Sequence, residues 1–255
     1  MRRKIAILIP AYNEAKSIES VLQEVFKLSM TRPEWEILPI VVNDGSSDGT
    51  ESVLKRIAHR YSAYVIHFPL NLGIGCAIQA GLRVAVTWGA DIALQLDGDG
   101  QHPADQIPVI VQPILNHQCD VTVGSRYLHG GGGNVSTSAR QLGTLFFSRL
   151  LKTLVGVEIK DTTSGFRAFN RQAMEYLAHC YPDDYAEVEA YVLLARKRLT
   201  ILEVPVRMRP RTQGRSSITP LRCAYYMIKV AFAAIIGLVR ELPLQIEARQ
   251  ESEVG

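Results

Sequence analysis

The chain has 255 residues, and its 28 basic and 25 acidic side chains leave a formal net charge of +3. That length suits one sizeable α/β domain with a complete core rather than two domains. The small net charge gives no reason to expect a nucleic-acid partner. Four widely spaced cysteines without a CxxC pair argue against a zinc site or a disulfide framework and fit a reducing cytoplasm.

In the first half, short apolar β-branched runs alternate with longer amphipathic runs. Strands are predicted at residues 4–9, 37–43, 63–68 and 92–97, and helices at 17–28, 50–61 and 74–88. This alternation predicts a mostly parallel central sheet flanked by helices, with ligands bound at the carboxyl ends of its strands. The apolar run of the first strand is too short for a signal peptide, so no export is expected.

The second half continues the pattern less regularly. A helix is predicted near residues 104–116, a strand at 120–124, a mobile glycine loop at 130–133, and a final helix and strand at 186–198 and 200–206. Between them, residues 139–155 predict an amphipathic helix with Arg140, Thr144 and Ser148 on one stripe and apolar side chains on another.

Near its end the chain carries a 17-residue apolar run, residues 223–239, which contains Lys229. A spanning helix needs about 20 apolar residues, so this run is expected to lie on a membrane without crossing it. On a helix over residues 218–240, Arg222, Lys229 and Arg240 form a narrow cationic stripe that suits the lipid headgroup boundary. A helix packed on its own domain or in a dimer is the alternative. Residues 241–255 are a polar tail.

Residues 94–102 read LQLDGDGQH, in which two carboxylates and an amide follow a buried strand at alternate positions: Asp97, Asp99 and Gln101. Hard oxygen ligands on a glycine-loosened turn suit Mg²⁺ or Mn²⁺. These ions take one or two carboxylates from a protein and complete their shell with water and substrate phosphates. The segment therefore predicts a divalent metal bound together with a diphosphate, and the rest of the chain should supply a nucleotide pocket.

Two further loops at the same edge carry candidate nucleotide contacts. After the first strand, residues 10–14 read PAYNE, where the ring of Tyr12 and the carboxylate of Glu14 can hold a nucleobase by stacking and hydrogen bonding. Asp44 ends the second strand, where it can bind ribose or base hydroxyls. Residues 46–49, which follow it, are typical of a turn and a helix cap.

Residues 71–82 read NLGIGCAIQAGL, a glycine-containing turn that leads into a helix. The third glycine of a dinucleotide fingerprint is missing, so a dinucleotide site is not expected. The start of this helix either faces a phosphate or the sugar, or its glycines serve close helix packing.

In combination these motifs resemble family 2 glycosyltransferases of the GT-A fold, and especially the polyprenyl-phosphate branch that includes dolichol-phosphate mannosyltransferases and undecaprenyl-phosphate glycosyltransferases. The resemblance covers about residues 4–217, the expected catalytic domain. It rests on the joint order of IPAYNE, VVNDGSSDGT, NLGIG, DGDGQ, GSR at residues 124–126, DTTSGFRAF, EVPV at residues 203–206 and RTQGRSS at residues 211–217.

The resemblance implies a role for each matching residue. The residues that would border the nucleoside are Pro10, Tyr12, Glu14, Val42 and Asp44, together with Asp97. Asp97, Asp99 and Gln101 would hold the metal and the diphosphate, and Arg211 would swing onto the diphosphate as a catalytic cation. The acceptor phosphate would bind to Arg126, Arg140 and Thr144, where the family often has serine in place of Thr144.

Two departures from the family are visible. Many relatives place a lysine where this chain has Ile74, so one positive charge on the donor side is absent. Residues 218–255 also predict no pair of transmembrane helices of the kind that commonly follows the catalytic domain in this branch. Membrane retention is therefore expected to come from the helix at residues 218–240, through lipid or through a small membrane-protein partner.

The implied reaction is a metal-dependent, inverting transfer of a sugar from a UDP- or GDP-sugar to a polyprenyl phosphate. It would take place at the cytoplasmic face of the cell membrane, by a peripherally bound protein that is either monomeric or a homo-oligomer. An acceptor phosphate is already ionised near pH 7, so no strong base is required. Glu187 and Glu189 are the candidate bases for the alternative, a family 2 enzyme that acts on a soluble or glycan hydroxyl. A non-catalytic protein that binds a membrane partner is the remaining possibility.

Overall fold

The structure, a computed structural model, describes residues 2–128, 138–182 and 186–210, together with five helical positions, 229, 231, 232, 235 and 236. For residues 138–142 and 186, only the backbone is described. Several predicted features lie outside the described residues: the glycine loop at 130–133, the side chain of Arg140, Arg211 with its loop, most of the helix at 218–240, and the tail at 241–255. No helix among the described residues is long and apolar enough to span a membrane.

Seven strands and seven α-helices are described. The strands are β1 (Arg3–Ala11), β2 (Trp35–Asp44), β3 (Tyr64–Phe68), β4 (Ile92–Gln95), β5 (Val121–Ser125), β6 (Arg167–Asn170) and β7 (Ile201–Pro205). The helices are α1 (Ile18–Thr31), α2 (Thr50–Ile57), α3 (Ile74–Trp88), α4 (Ile107–Leu115), α5 (Ser138–Val155), α6 (Arg171–Cys180) and α7 (Ala186–Arg196). Short 3₁₀ turns at His59–Tyr61 and Ala104–Gln106 follow α2 and precede α4.

The strands form one sheet in the order β3-β2-β1-β4-β6-β5-β7. Neighbouring strands run parallel except at β6, which is antiparallel to both β4 and β5. The expected α/β fold with a mostly parallel sheet is therefore confirmed.

The core lies on both faces of this sheet. In β1, Ile5, Ile7 and Ile9 face a cluster that contains α1, α2 and α4, whereas Ala6 and Leu8 face a second cluster that contains α3, α5, α6 and α7. A strand that is buried on both faces reads as a continuous apolar run, and this explains why β1, β2 and β4 were readable from sequence.

Two consecutive elements, β6 and α6, are not predicted by the sequence pattern. β6 has only four residues and follows a loop, so no periodic pattern of useful length exists. α6 begins where the Asn170 side chain caps the helix by accepting a hydrogen bond from the Ala173 amide at 2.8 Å. The antiparallel β6 places the segment at residues 161–166 beside the end of β4.

Candidate active site

The turn after β4 packs on the end of β1. A Cβ atom on Gly98 would lie 2.9 Å from the carbonyl oxygen of Pro10, so only glycine permits this approach. The strand predicted to reach Asp97 ends instead at Gln95, which pairs with Leu8 of β1. Asp97 therefore belongs to the turn, at the carboxyl end of the sheet where the sequence places ligand chemistry.

Three contacts surround Asp97. Its backbone N–H donates to Nδ1 of His102 at 3.2 Å, and its Oδ2 lies 3.7 Å from Nε2 of the same ring. A Cβ atom on Gly165 would lie 3.1 Å from Oδ1, so the segment before β6 packs directly on this carboxylate. Oδ1 itself is buried and has no hydrogen-bond partner within the described part of the chain. A buried carboxylate oxygen in that state is costly unless it binds a cation or donor.

Asp99 and Gln101 follow in the same turn. Oδ1 of Asp99 accepts a hydrogen bond from the Gln101 amide at 2.9 Å, and the carbonyl of Gln101 accepts one from the Arg209 amide at 2.9 Å. In the described ranges, no three His, Cys, Asp or Glu side chains are grouped to hold a metal ion. Two carboxylates and an amide oxygen nevertheless fit Mg²⁺ or Mn²⁺, whose remaining ligands are commonly water and substrate phosphate.

Asp44, at the end of β2, joins two loops. Its Oδ1 accepts the Leu72 amide at 2.7 Å and its Oδ2 accepts the Gly73 amide at 3.0 Å, just before α3. The side chain is 3% exposed, so these bonds hold the carboxylate in place. Each carboxylate oxygen can accept a further hydrogen bond, which leaves the predicted nucleoside contact open.

The loops after β1 and β2 hold each other through side chain to backbone bonds. The Asn13 amide donates to Ser46 Oγ at 2.9 Å, and Asn13 Oδ1 accepts the Ser47 amide at 2.9 Å. This arrangement leaves Tyr12 about half exposed at the rim, while Val42 is buried inside β2. Oε2 of Glu14 accepts the Ser17 hydroxyl at 2.5 Å. The predicted nucleoside residues thus come together at the ends of β1 and β2.

Asp48 in this pair of loops is a turn residue. Its Oδ1 accepts the amide and the hydroxyl of Thr50, and its Oδ2 accepts the Ala15 amide at 3.1 Å. Burial raises the pKa of the Asp48 carboxyl, but these hydrogen bonds together outweigh it and lower the pKa below the usual value.

On the proposed acceptor side, Arg126 at the end of β5 is engaged by a carboxylate. Its Nε donates to Oδ2 of Asp161 at 2.8 Å and its Nη2 donates to Oδ1 at 2.7 Å. Burial alone would lower the pKa of Arg126, but the Asp161 hydrogen bond and charge raise it. Thr144 on α5 is buried. Part of the positive charge that was predicted to bind a phosphate is therefore already balanced.

A protein-family model identifies the class of enzyme. The model described as "Glycosyl transferase family 2" matches residues 6–177. The chain belongs to this family. The matched range therefore contains most of β1, all of β2 to β6, both loops of the proposed nucleotide side and the turn with Asp97 and Asp99. The expected glycosyltransferase class is confirmed.

This family 2 glycosyltransferase is similar in sequence to two curated relatives and in structure to one solved protein. It is 31% identical over 218 residues to a UDP-N-acetylglucosamine–dolichyl-phosphate N-acetylglucosaminyltransferase of Methanococcus voltae. This alignment covers 80% of this chain and 84% of the relative. It is 29% identical to an undecaprenyl-phosphate mannosyltransferase of Micrococcus luteus, covering 85% and 88%. Glucosyl-3-phosphoglycerate synthase of Mycobacterium tuberculosis, solved with Mn²⁺, UDP and glucosyl-3-phosphoglycerate, superposes with a TM-score of 0.64 at 21% identity, covering 92% and 80%. The structural likeness confirms the GT-A fold.

From the sequence, Arg167 and Phe166 are expected only to fix the floor of the acceptor site, and the structure gives Arg167 further contacts. Arg167 is fully buried on β6, where its Nε donates to the Ser164 carbonyl at 2.8 Å and its Nη1 donates to the Glu187 carbonyl at 3.3 Å. Its guanidinium lies 4.4 Å from the ring centre of Tyr191. One cation thus connects the segment that packs on Asp97 with the start of α7, which carries the half-buried Glu187 and Glu189. The signal in the sequence was an arginine inside an otherwise apolar run.

Proposed function

We propose that this chain transfers a sugar from a UDP- or GDP-sugar to a polyprenyl phosphate, with inversion, at the cytoplasmic face of a membrane. The names of the two curated relatives support the acceptor class, since one acts with dolichyl phosphate and the other with undecaprenyl phosphate. Both relatives match over four fifths or more of this chain and of their own length.

The observation that carries the proposal is the environment of the Asp97 carboxylate. Its Oδ1 is buried without a hydrogen-bond partner in the described ranges, at the strand end where Asp99 and Gln101 add further oxygen ligands. These three residues would hold Mg²⁺ or Mn²⁺. When bound, such an ion supplies positive charge against the charge that develops on the departing diphosphate.

The chain's own residues contribute binding and orientation. The loops after β1 and β2, joined by Asn13 and Ser46, would form the wall against which the nucleoside rests. An ionised phosphate acceptor attacks without prior loss of a proton, so neither Glu187 nor Glu189 is needed as a base. Leu145 and Phe146 of α5 are 48% and 41% exposed next to Thr144, which suits a lipid-linked acceptor.

The test is release of nucleoside diphosphate by the purified chain. UDP- and GDP-sugars are each supplied with Mg²⁺, Mn²⁺ or a chelator, with and without undecaprenyl phosphate. We expect release that requires both the metal and the lipid phosphate. Release that depends on a soluble glycan and is indifferent to lipid phosphate would favour the hydroxyl-acceptor alternative, and binding without release in any mixture would favour the non-catalytic one.

A further inference from the structure

His102 is a buried polar residue beside the turn that carries Asp97, with a relative exposure of only 5%. Nδ1 of its ring accepts the hydrogen bond from the Asp97 amide, which requires a lone pair on Nδ1. The proton of the neutral ring is therefore on Nε2. Nε2 in turn lies 3.7 Å from Oδ2 of Asp97. One imidazole thus faces both the backbone and the carboxylate of the same residue.

The orientation of this ring is set by Phe166. The two rings stack with centres 4.7 Å apart and planes 9° from parallel, and Phe166 is completely buried. The neighbouring Gly165 packs on the other carboxylate oxygen, Oδ1, where a Cβ atom would lie 3.1 Å away. The segment before β6 therefore borders Asp97 in two ways, through Phe166, which orients the His102 ring, and through Gly165, which lies beside the carboxylate.

We propose that His102 is a positioning residue that directs the Asp97 carboxylate toward a divalent cation. Nδ1 fixes the Asp97 amide by a hydrogen bond, and Nε2–H lies 3.7 Å from Oδ2, so the ring holds the backbone of Asp97 and attracts its carboxylate electrostatically. Groups that hydrogen-bond a metal-ligating residue from behind fix its direction, and their loss typically weakens metal binding by about tenfold or more. This inference rests on the proposed metal-dependent transfer and adds to it the residue that prepares its ligand.

The experiment measures Mn²⁺ binding by the full chain in the presence of UDP or GDP, from the electron paramagnetic resonance signal of free Mn²⁺. His102→Asn keeps an acceptor near the Nδ1 position but has nothing at Nε2, whereas His102→Gln places an amide N–H near Nε2. We expect about tenfold weaker Mn²⁺ binding for His102→Ala and His102→Asn, and recovery in His102→Gln. The metal concentration for half-maximal activity should rise in parallel, with kcat at saturating metal nearly unchanged.

His59→Ala is the matched control, because His59 is an exposed histidine in a part of the sequence far from His102.

The outcomes separate this inference from the proposed function. If His102→Asn binds Mn²⁺ as the unmodified protein does while Asp97→Asn loses it, the positioning role is wrong and the metal site stands. If His102→Gln binds no better than His102→Asn, the Nε2 contact is not the cause and the inference fails. If the unmodified protein binds no Mn²⁺ with either nucleotide, both the inference and the metal dependence are overturned. Should His102→Ala fail to fold, His102→Asn, which keeps the bond to the Asp97 amide, carries the comparison.

Discussion

Arg126 and Asp161 form a two-pronged ion pair across 35 residues of sequence, with donor to acceptor distances of 2.8 and 2.7 Å. The Arg126 amide adds a third bond to Asp161 Oδ2 at 3.1 Å. Behind them, Glu203 of β7 accepts the amides of Lys160 and Asp161 at 2.9 and 2.6 Å. These bonds tie the segment before β6, and with it the residues that pack on Asp97, to the end of β5 and to the middle of β7.

Replacing Asp161 with Asn should destabilise the protein by about 3–5 kcal/mol, because Arg126 would keep a largely buried charge without its partner. Urea unfolding followed by circular dichroism measures this. The double variant Arg126→Met, Asp161→Leu should recover much of the loss, since no unpaired charge remains. A loss below about 1 kcal/mol in the single variant would show that water screens the pair.

Asp99→Ala should abolish sugar transfer while leaving the fold intact. The carboxylate lies in a half-buried turn after β4, so its removal opens no core cavity, and we expect activity to fall by about a hundredfold or more. Nucleoside diphosphate release and unfolding free energy are measured on the same sample, with the exposed Glu34→Ala as control. Normal turnover by the Asp99 variant would remove the metal assignment.

Gly165→Ala should impair activity, since the added methyl would lie 3.0 Å from Gln95 Nε2 and 3.1 Å from Asp97 Oδ1. Gln95 is buried within β4, whereas Asp97 lies in the partly exposed turn, so we expect Asp97 to be displaced and metal-dependent activity to fall. Gly143→Ala in α5 is the control, because its Cβ meets nothing within 4 Å and helix propensity favours alanine by up to about 1 kcal/mol. Equal activity in the two variants would contradict the contact between the segment before β6 and Asp97.

Asp48→Asn should reduce stability at neutral pH and have little effect in acid. The pKa of Asp48 is lowered in the folded protein, so the ionised form contributes stability above the usual value of 3.8. That contribution is lost as the pH falls through the lowered pKa, and the two proteins should then converge. Unfolding free energies at a series of pH values from 7 downward measure the difference, with Glu34→Gln as control. A difference that does not change with pH would mean that the charge plays no part.

Deletion of residues 219–255 should release the protein from liposomes. The sequence predicts an otherwise apolar helix on which Arg222, Lys229 and Arg240 form a cationic stripe, and such a helix favours headgroup binding. Where described, Phe232, Ile235 and Ile236 are exposed, by 63%, 46% and 58%. Co-sedimentation with anionic vesicles compares the full and shortened chains, and circular dichroism checks that the shortened chain folds. Unchanged sedimentation would assign the helix another role.

Much of the sheet was readable from sequence because β1, β2 and β4 are apolar runs buried on both faces, and because α1 and α3 place apolar side chains at helical spacing. Asp97, Asp99 and Gln101 were readable for a related reason. They lie within five residues of one another, so the chemistry of the turn is contained in one short motif. Their roles, and those of Arg140 and Arg211, stay predictions.

Contacts between distant segments were beyond the reach of such patterns. The antiparallel insertion of β6 brings Gly165 onto Asp97, Phe166 onto His102 and Arg167 beneath the start of α7. Spacing along a chain encodes only which side chains share a face of one helix or strand. Which segments meet depends on strand order, and strand order results from burying the whole core at once. The predicted metal ligands could thus be named from a local motif, while the groups that contact Asp97 emerged only from the folded chain.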